Sequence, residues 1–153
     1  MDSSLEKQVQ LDTLMPLIRE QLSLGNTVRF SPRGVSMLPM LRQGRDSVVL
    51  SPLPGKLRRF DLPLYRRDNG QYVLHRIVEV GQTYTCMGDN QFEKETGLRQ
   101  DQMIAVVTAF TRGEKLCSVT SVSHRIYCRV WYHSRHIRRF WRRGWGWLRR
   151  HLG

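Results

Sequence analysis

Apolar and polar residues alternate in short runs from residue 27 onward, which is typical of β-strands with one buried face. Turn residues separate the runs, and Asp68-Asn69-Gly70 is a strong hairpin signal because Asn and Gly tolerate positive φ. This pattern predicts a mainly β fold, either a coiled antiparallel sheet or a partly open barrel. The predicted strands are 27–31, 46–51, 61–67, 71–80, 83–87, 103–111 and 115–121.

The segment before these strands has helical spacing of apolar residues. A helix start at Asp12 or Thr13 precedes a run that shares one face and ends at Gly25. Pro16 falls in the first turn of that helix, where proline is tolerated. We therefore expect one or two short amphipathic helices over residues 3–24 that cover part of the sheet. The shared face consists of Leu14, Leu17, Ile18 and Leu22.

The last thirty residues also have helical periodicity, with apolar and basic residues on different sides. One side carries Ile126, Val130, Ile137, Trp141, Trp145, Leu148 and Leu152, with Tyr127 and Trp131 alongside. The other side carries Arg125, Arg129, Arg139, Arg142, Arg143 and Arg150. The pattern predicts a basic, Trp-rich amphipathic tail helix over residues 122–153.

Length and charge divide the chain in the same way. Its 153 residues suffice for one domain with a core, predicted at 26–121, flanked by 1–25 and 122–153. The formal net charge is +12, and residues 123–153 hold nine Arg and no acid. Residues 1–122 hold sixteen Lys and Arg against thirteen Asp and Glu. The excess positive charge is therefore concentrated in the tail.

Several classes of protein are not indicated. Three widely spaced cysteines predict no disulfide framework, and Cys128, His133 and His136 lack a fourth metal ligand. No Gly-rich phosphate loop or dinucleotide fingerprint occurs, so no cofactor is predicted. The sequence contains neither a secretory signal nor an uncharged apolar run of about 18 residues. We therefore expect a cytoplasmic protein, with peripheral association at the inner membrane face through its tail.

A lone serine, Ser36, lies between Gly34 and Pro39, directly after the first predicted strand. Pro39 interrupts regular structure and Gly34 allows another backbone to come close, so Ser36 should lie on an exposed bend. A nucleophilic serine needs this geometry, because attack requires an accessible Oγ and a nearby N–H for the oxyanion.

Four sequence boxes extend this observation. They are Gly34-Val-Ser36-Met37-x-Pro39-x-Leu41, an acidic residue opening a strand at Asp46, Val73-Leu-His75-Arg76-Ile-Val, and Met87-Gly88-Asp89-Asn90. In this order they resemble the boxes of the signal peptidase I and LexA-like serine peptidase superfamily, and most resemble its histidine-type branch. The resemblance covers about residues 27–112 and implies the coiled β fold and the peptidase activity of that superfamily.

The resemblance implies roles for individual residues. Ser36 would attack a peptide carbonyl, and His75 would take its proton, since an imidazole pKa of about 6.5 suits a base near neutral pH. The Ser36 N–H would bind the oxyanion, with Gly34 beside it, and Met37 would either pack in the core or line the cleft. Read without the resemblance, His75 on its strand could instead be a core histidine.

A third catalytic member would orient the imidazole. Counting from the Gly-Asp-Asn box assigns this role to Glu95, which lies in the loop expected from Gln91 to Gln100. Asp89 is the alternative orienter, or else supports the structure. Both acids could also be ordinary solvated loop residues.

Two functions follow from these features. The first is a signal-peptidase-like serine endopeptidase that uses a Ser36/His75 dyad to cleave a peptide or protein leader. The alternative is a catalytically silent β domain that binds a membrane surface or nucleic acid through its tail. For residues 123–153, an anionic membrane surface is favoured over a partner protein, and nucleic acid ranks third, because phosphate binding needs no continuous apolar stripe. The sequence carries no signal for an oligomeric state.

Overall fold

The computed structural model describes the backbone of residues 3–151 and the side chains of residues 11–144. Within these residues it contains three α-helices and nine β-strands, so the predicted mainly β class is confirmed. The helices are α1 (Ser3–Ser23), α2 (Val122–His133) and α3 (Arg135–His151). The strands are β1 (Val28–Phe30), β2 (Val48–Ser51), β3 (Pro63–Arg66), β4 (Tyr72–Leu74), β5 (Arg76–Val80), β6 (Tyr84–Met87), β7 (Glu95–Leu98), β8 (Met103–Arg112) and β9 (Lys115–Ser118).

The strands form two antiparallel sheets. The large sheet has the order β1-β2-β8-β3-β4, with β9 paired to the end of β8, and the small sheet has the order β5-β6-β7. The long strand β8 therefore joins most of the large sheet. Within residues 3–151 the sheets do not close into a barrel.

The predicted single strand 71–80 is wrong, because it is divided at His75 between the two sheets. Before this residue, β4 pairs with β3 in the large sheet, whereas after it β5 pairs with β6 in the small sheet. The Ile77 N–H donates to the Asp61 carbonyl at 2.9 Å, which helps redirect the chain. His75 thus lies at the junction of the sheets.

Strand β7 lies in the segment that was expected to be a loop. Its sequence, Glu-Thr-Gly-Leu, has little strand propensity of its own. It pairs with β6, whose four residues are all buried, with Cys86 opposite Glu95 and Tyr84 opposite Leu98. Pairing with a buried strand therefore overrides the local preference.

The N-terminal segment is one continuous helix, and its buried face differs from the predicted one. Leu14 and Leu17 are exposed, whereas the core beneath the large sheet receives Met15, Ile18 and Leu22. Pro16 lies inside this helix, so no second helix begins at Asp12 or Thr13.

The tail forms two helices, α2 and α3, instead of the predicted single helix. Ser121 caps α2 by accepting a hydrogen bond from the His124 N–H at 3.3 Å, and Ser134 ends it. The buried residues of α2 are His124, Cys128 and Tyr132, whereas Ile126 and Val130 of the predicted stripe are exposed. The predictions for Trp145, Leu148 and Leu152 fall outside the described side chains. Among helices within residues 3–151, none has the length and apolarity needed to cross a bilayer.

Candidate active site

Ser36 lies in the turn that follows β1, as its position between Gly34 and Pro39 predicted. Its side chain is half-buried, and Gly34 adopts φ of +104°, a conformation that favours glycine. The Gly34 N–H donates to Oε1 of Gln43 at 2.7 Å. This N–H is therefore already engaged and is not available to an oxyanion.

The Gly88-Asp89-Asn90 box holds the serine turn in place. The Asn90 N–H donates to the Ser36 carbonyl at 2.8 Å, and the Asn90 side-chain amide donates to the Val35 carbonyl at 3.1 Å. A Cβ at Gly88 would lie only 2.7 Å from the Ser36 carbonyl oxygen. Glycine is needed here because the two backbone segments come so close.

Ser36 and His75 line the same cavity, which has a volume of about 680 Å³. Arg67, Tyr72 and Gln91 also line it, so polar and apolar side chains both face its interior. Within the part of the chain whose side chains are described, no hydrogen bond joins Ser36 Oγ to His75. A serine and its base often come into contact only when substrate is bound, so this cavity remains a candidate for the chemistry.

His75 is 5% exposed and contacts a tyrosine on the neighbouring strand. The distance from its Nδ1 to Tyr65 Oη is 3.3 Å. Tyr65 Oη in turn donates to Oε2 of Glu95 at 2.7 Å. The imidazole is therefore linked to a carboxylate through one phenol.

The hydrogen bonds that link His75, Tyr65 and Glu95 determine the tautomer of His75. A phenol carries one proton, and Tyr65 donates it to the carboxylate of Glu95. Tyr65 Oη can then only accept from His75, so the proton of the neutral imidazole lies on Nδ1. Nε2 is left without a proton and can accept one.

Burial and charge together determine the protonation of His75. Burial lowers its pKa to about 4, the Arg67 guanidinium lowers it as well, and the carboxylates of Glu95 and Asp89 partly offset both effects. The imidazole is therefore neutral at pH 7. This is the protonation state that a general base requires.

Glu95, the predicted third member, is held by an ion pair. Arg67 Nε donates to Oε1 and Nη2 to Oε2, both at 2.8 Å. Burial raises the pKa of Glu95, but the hydrogen bonds from Arg67 and Tyr65 outweigh it, and the net pKa lies below the usual value. Glu95 is therefore ionised at neutral pH and reaches His75 through Tyr65, without direct contact.

Tyr65 was not among the site residues predicted from the sequence, although the hairpin signal could have identified it. Gly70 at φ of +88° gives a three-residue turn, in which the Arg67 N–H donates to the Gln71 carbonyl at 2.8 Å. This register pairs Tyr65 with Val73. Because side chains alternate along a strand, Val73 and His75 point to the same side as Tyr65.

Asp89 makes other contacts. Its oxygens accept from Arg76 Nε at 2.8 Å and Nη2 at 2.9 Å, and from Tyr127 Oη at 2.9 Å. Its backbone carbonyl accepts from Trp131 Nε1 at 2.6 Å. Asp89 is buried and makes no hydrogen bond to His75, so it connects the Gly88–Asn90 box to α2.

The remaining predicted site residues have distinct environments. Met37 is buried in the core beneath the large sheet and also lines the cavity, so both of its expected roles agree with its position. Cys128 is buried, whereas His133 and His136 are exposed. Among the side chains of residues 11–144, no group of three or more His, Cys, Asp or Glu is arranged to hold a metal ion.

Comparisons of this chain with protein-family models, with curated proteins and with solved structures found no match. Its function is therefore argued from the geometry of the site.

Proposed function

We propose that this chain is a serine endopeptidase of the signal peptidase and LexA-like type, which cleaves a peptide or a protein leader. Ser36 is the nucleophile and His75 is the general base. The observation that carries the proposal is the cavity that Ser36 and His75 both line. The hydrogen bonds of Tyr65 add the inference that Nε2 of His75 is the proton-accepting nitrogen. Two further features support the proposal. Ser36 lies in a turn, and His75 lies at the junction of the two sheets, as a coiled β fold of that superfamily would place them.

In this mechanism Ser36 Oγ attacks the substrate carbonyl while His75 Nε2 takes the hydroxyl proton. The imidazolium that forms is stabilised by the ionised Glu95, which acts through Tyr65. His75 then gives the proton to the leaving amine, and water hydrolyses the acyl-enzyme by the same route.

The oxyanion needs at least one N–H donor near Ser36. Within the described residues the Ser36 N–H makes no hydrogen bond, so it is available to the developing charge. Gly34 cannot add a backbone donor, because its N–H binds Gln43. A second donor would therefore come from another residue of the cavity, and Gln71 and Gln91 are the side-chain amides that line it.

Mass spectrometry of a diverse peptide and precursor-protein mixture tests this proposal. The mixture is incubated with the wild-type chain, Ser36→Ala and His75→Ala, and new termini are compared. We expect cleavage products with the wild-type chain that fall by at least about a thousandfold in both variants. The shared termini would define the preferred bond.

Gln43→Ala is a useful companion variant, because it removes a contact of the serine turn without removing either reacting group. It should retain cleavage at the same bonds. Products that persist in Ser36→Ala would contradict the proposal, as would a folded wild-type chain that yields no new termini across the mixture.

One observation favours a second candidate function, a catalytically silent β domain that binds a surface through its tail. Within the described side chains, Ser36 Oγ and His75 are not hydrogen-bonded, and burial keeps the pKa of His75 near 4. The same mixture discriminates the two functions. Identical spectra from the wild-type chain and both variants would favour the silent domain.

A further inference from the structure

Over residues 135–144, helix α3 turns its apolar side chains away from the body of the protein. Ile137, Phe140 and Trp141 are 64%, 77% and 63% exposed. Positions separated by three and four residues lie on the same side of a helix, so these three side chains form one patch. In an amphipathic helix that packs on the core, such a patch would be buried.

Two arginines of α3, Arg138 and Arg142, instead contact the body of the protein. The Arg138 guanidinium stacks 3.7 Å from the Trp131 ring centroid and donates to the Trp131 carbonyl at 2.6 Å. The Arg142 guanidinium lies 5.2 Å from the Phe92 ring centroid. The side of α3 that carries Arg138 and Arg142 therefore packs on aromatic side chains, and the patch of Ile137, Phe140 and Trp141 is left for another partner.

Helix α2, like α3, turns apolar side chains away from the body of the protein. Its contacts with the body involve Tyr127, Trp131 and the buried residue Cys128, whereas Ile126 and Val130 are exposed on another side. Among the side chains described up to residue 144, the apolar stripe predicted from the sequence is thus not used by the protein's own core in either helix.

The charge around this stripe has one sign. Residues 122–144 contain seven arginines and no aspartate or glutamate. Such a segment attracts anionic surfaces, and each basic residue near an anionic bilayer contributes about 1 kcal/mol, or about fivefold in affinity. Exposed Trp and Phe beside arginine suit the boundary between headgroups and acyl chains.

We propose that α3 is a membrane-docking helix that lies in the surface of an anionic phospholipid bilayer, with Ile137, Phe140 and Trp141 inserted between the lipids. Arg143, which lies beside Phe140 around the helix, extends to the headgroup phosphates. Nucleic acid is a poorer occupant, because it would leave this apolar patch in water while two of the arginines remain engaged with the protein. The proposal does not depend on the activity of Ser36.

The chain carries its own reporter of docking. All four tryptophans, at 131, 141, 145 and 147, lie in the tail. Entry of the tail into lipid should shift the tryptophan emission to shorter wavelength. The full-length chain is therefore mixed with vesicles of phosphatidylcholine and phosphatidylglycerol at 3:1, or with phosphatidylcholine alone, and bound protein is measured by flotation and by emission.

We expect binding and a blue shift with the anionic vesicles and at least about tenfold weaker binding to the neutral ones, with salt weakening the former. Ile137→Glu/Trp141→Glu should bind the anionic vesicles at least about tenfold more weakly than the wild-type chain.

The matched control is Leu24→Glu/Leu116→Glu, which replaces two leucines that are 67% and 60% exposed and changes the net charge equally. It should bind within about twofold of the wild-type chain. Circular dichroism checks that both double variants remain folded. Equal losses in the two double variants would overturn the proposal and attribute binding to net charge alone. No binding to anionic vesicles would also overturn it, and binding to duplex DNA in their place would assign the tail to nucleic acid.

Discussion

Two charge networks diverge from the neighbouring residues His75 and Arg76, and they use the same types of side chain. The imidazole network consists of Arg67, Glu95 and Tyr65, and the helix network consists of Arg76, Asp89 and Tyr127. In each, an arginine and a tyrosine donate to one carboxylate. The first network ends at the imidazole in the cavity, whereas the second ends at α2.

The networks differ in their contact with water. Arg67 and Glu95 are 34% and 27% exposed, whereas Arg76 and Asp89 are 3% and 4% exposed. A partly solvated ion pair contributes little to the free energy of folding, but its charges can shift the pKa of a neighbouring group. A fully buried pair becomes indispensable once it has formed, because removing one partner leaves an uncompensated charge. The partly exposed Arg67–Glu95 pair is therefore suited to tuning the pKa of His75, whereas the buried Arg76–Asp89 pair has a structural role.

The largest effect is expected from Asp89→Asn. This variant leaves the Arg76 guanidinium buried without a counter-charge and should lower the free energy of unfolding by about 3–5 kcal/mol. Urea unfolding measures the loss. A change below about 1 kcal/mol would show that the helix network is not structural.

Acid should destabilise both networks, because each contacts a buried histidine. Burial lowers the pKa of His75 and of His124 to about 4 in each case, from about 6.5 in the unfolded chain. Above pH 6.5 the two histidines are neutral in the folded chain and in the unfolded chain. Below it the unfolded chain binds protons that the folded chain does not, so stability is lost as the pH falls from 6.5 to 4.

Each histidine should account for about 3 kcal/mol of this loss once the pH reaches 4. Urea unfolding of the wild-type chain and His124→Gln between pH 7 and 4.5 separates the contributions. The variant should lose stability less steeply with acid. Parallel pH profiles for the two proteins would contradict the assignment for His124.

Gly88→Ala examines the contact between the Asn90 segment and the serine turn. A methyl group 2.7 Å from the Ser36 carbonyl must displace one backbone, at about 1–3 kcal/mol of stability. The displacement should reduce cleavage by about a hundredfold. Gly81→Ala is the matched control, because its nearest neighbour would be 3.8 Å away. Equal activity of the two variants would show that this contact does not position Ser36.

The smallest effect on stability is expected from Glu95→Gln, at most about 1 kcal/mol, because its ion pair is partly solvated. The charge of Glu95 raises the pKa of His75, so its removal should lower that pKa further and weaken the base. We expect about tenfold slower cleavage with nearly normal urea unfolding. A stability loss as large as that of Asp89→Asn would remove the distinction between the networks.

Local patterns predicted the fold class, the hairpin at Asp68-Asn69-Gly70 and the serine turn, because turn chemistry and alternation act over a few residues. They missed β7 and the division of strand 71–80, since both depend on which strand lies alongside. Strand β6 supplies the pairing that β7 lacks on its own.

The candidate site shows the same limit. Ser36 and His75 could be named from the sequence, and they line one cavity. Tyr65 connects Glu95 to His75 only because β3 and β4 share a register across the hairpin. The buried face of α2 was missed because the orientation of this helix depends on Asp89, 38 residues earlier, which accepts a hydrogen bond from Tyr127.

The central claim is that the imidazole network leaves Nε2 of His75 as a free proton acceptor beside Ser36. Nitrogen-15 NMR of the histidine ring, recorded across pH on the full-length chain and on Tyr65→Phe, tests it without a substrate. We predict the Nδ1-protonated tautomer at pH 7, a pKa near 4, and a mixture of tautomers in Tyr65→Phe. A proton on Nε2 at pH 7, or a ring unaffected by Tyr65→Phe, would contradict the claim.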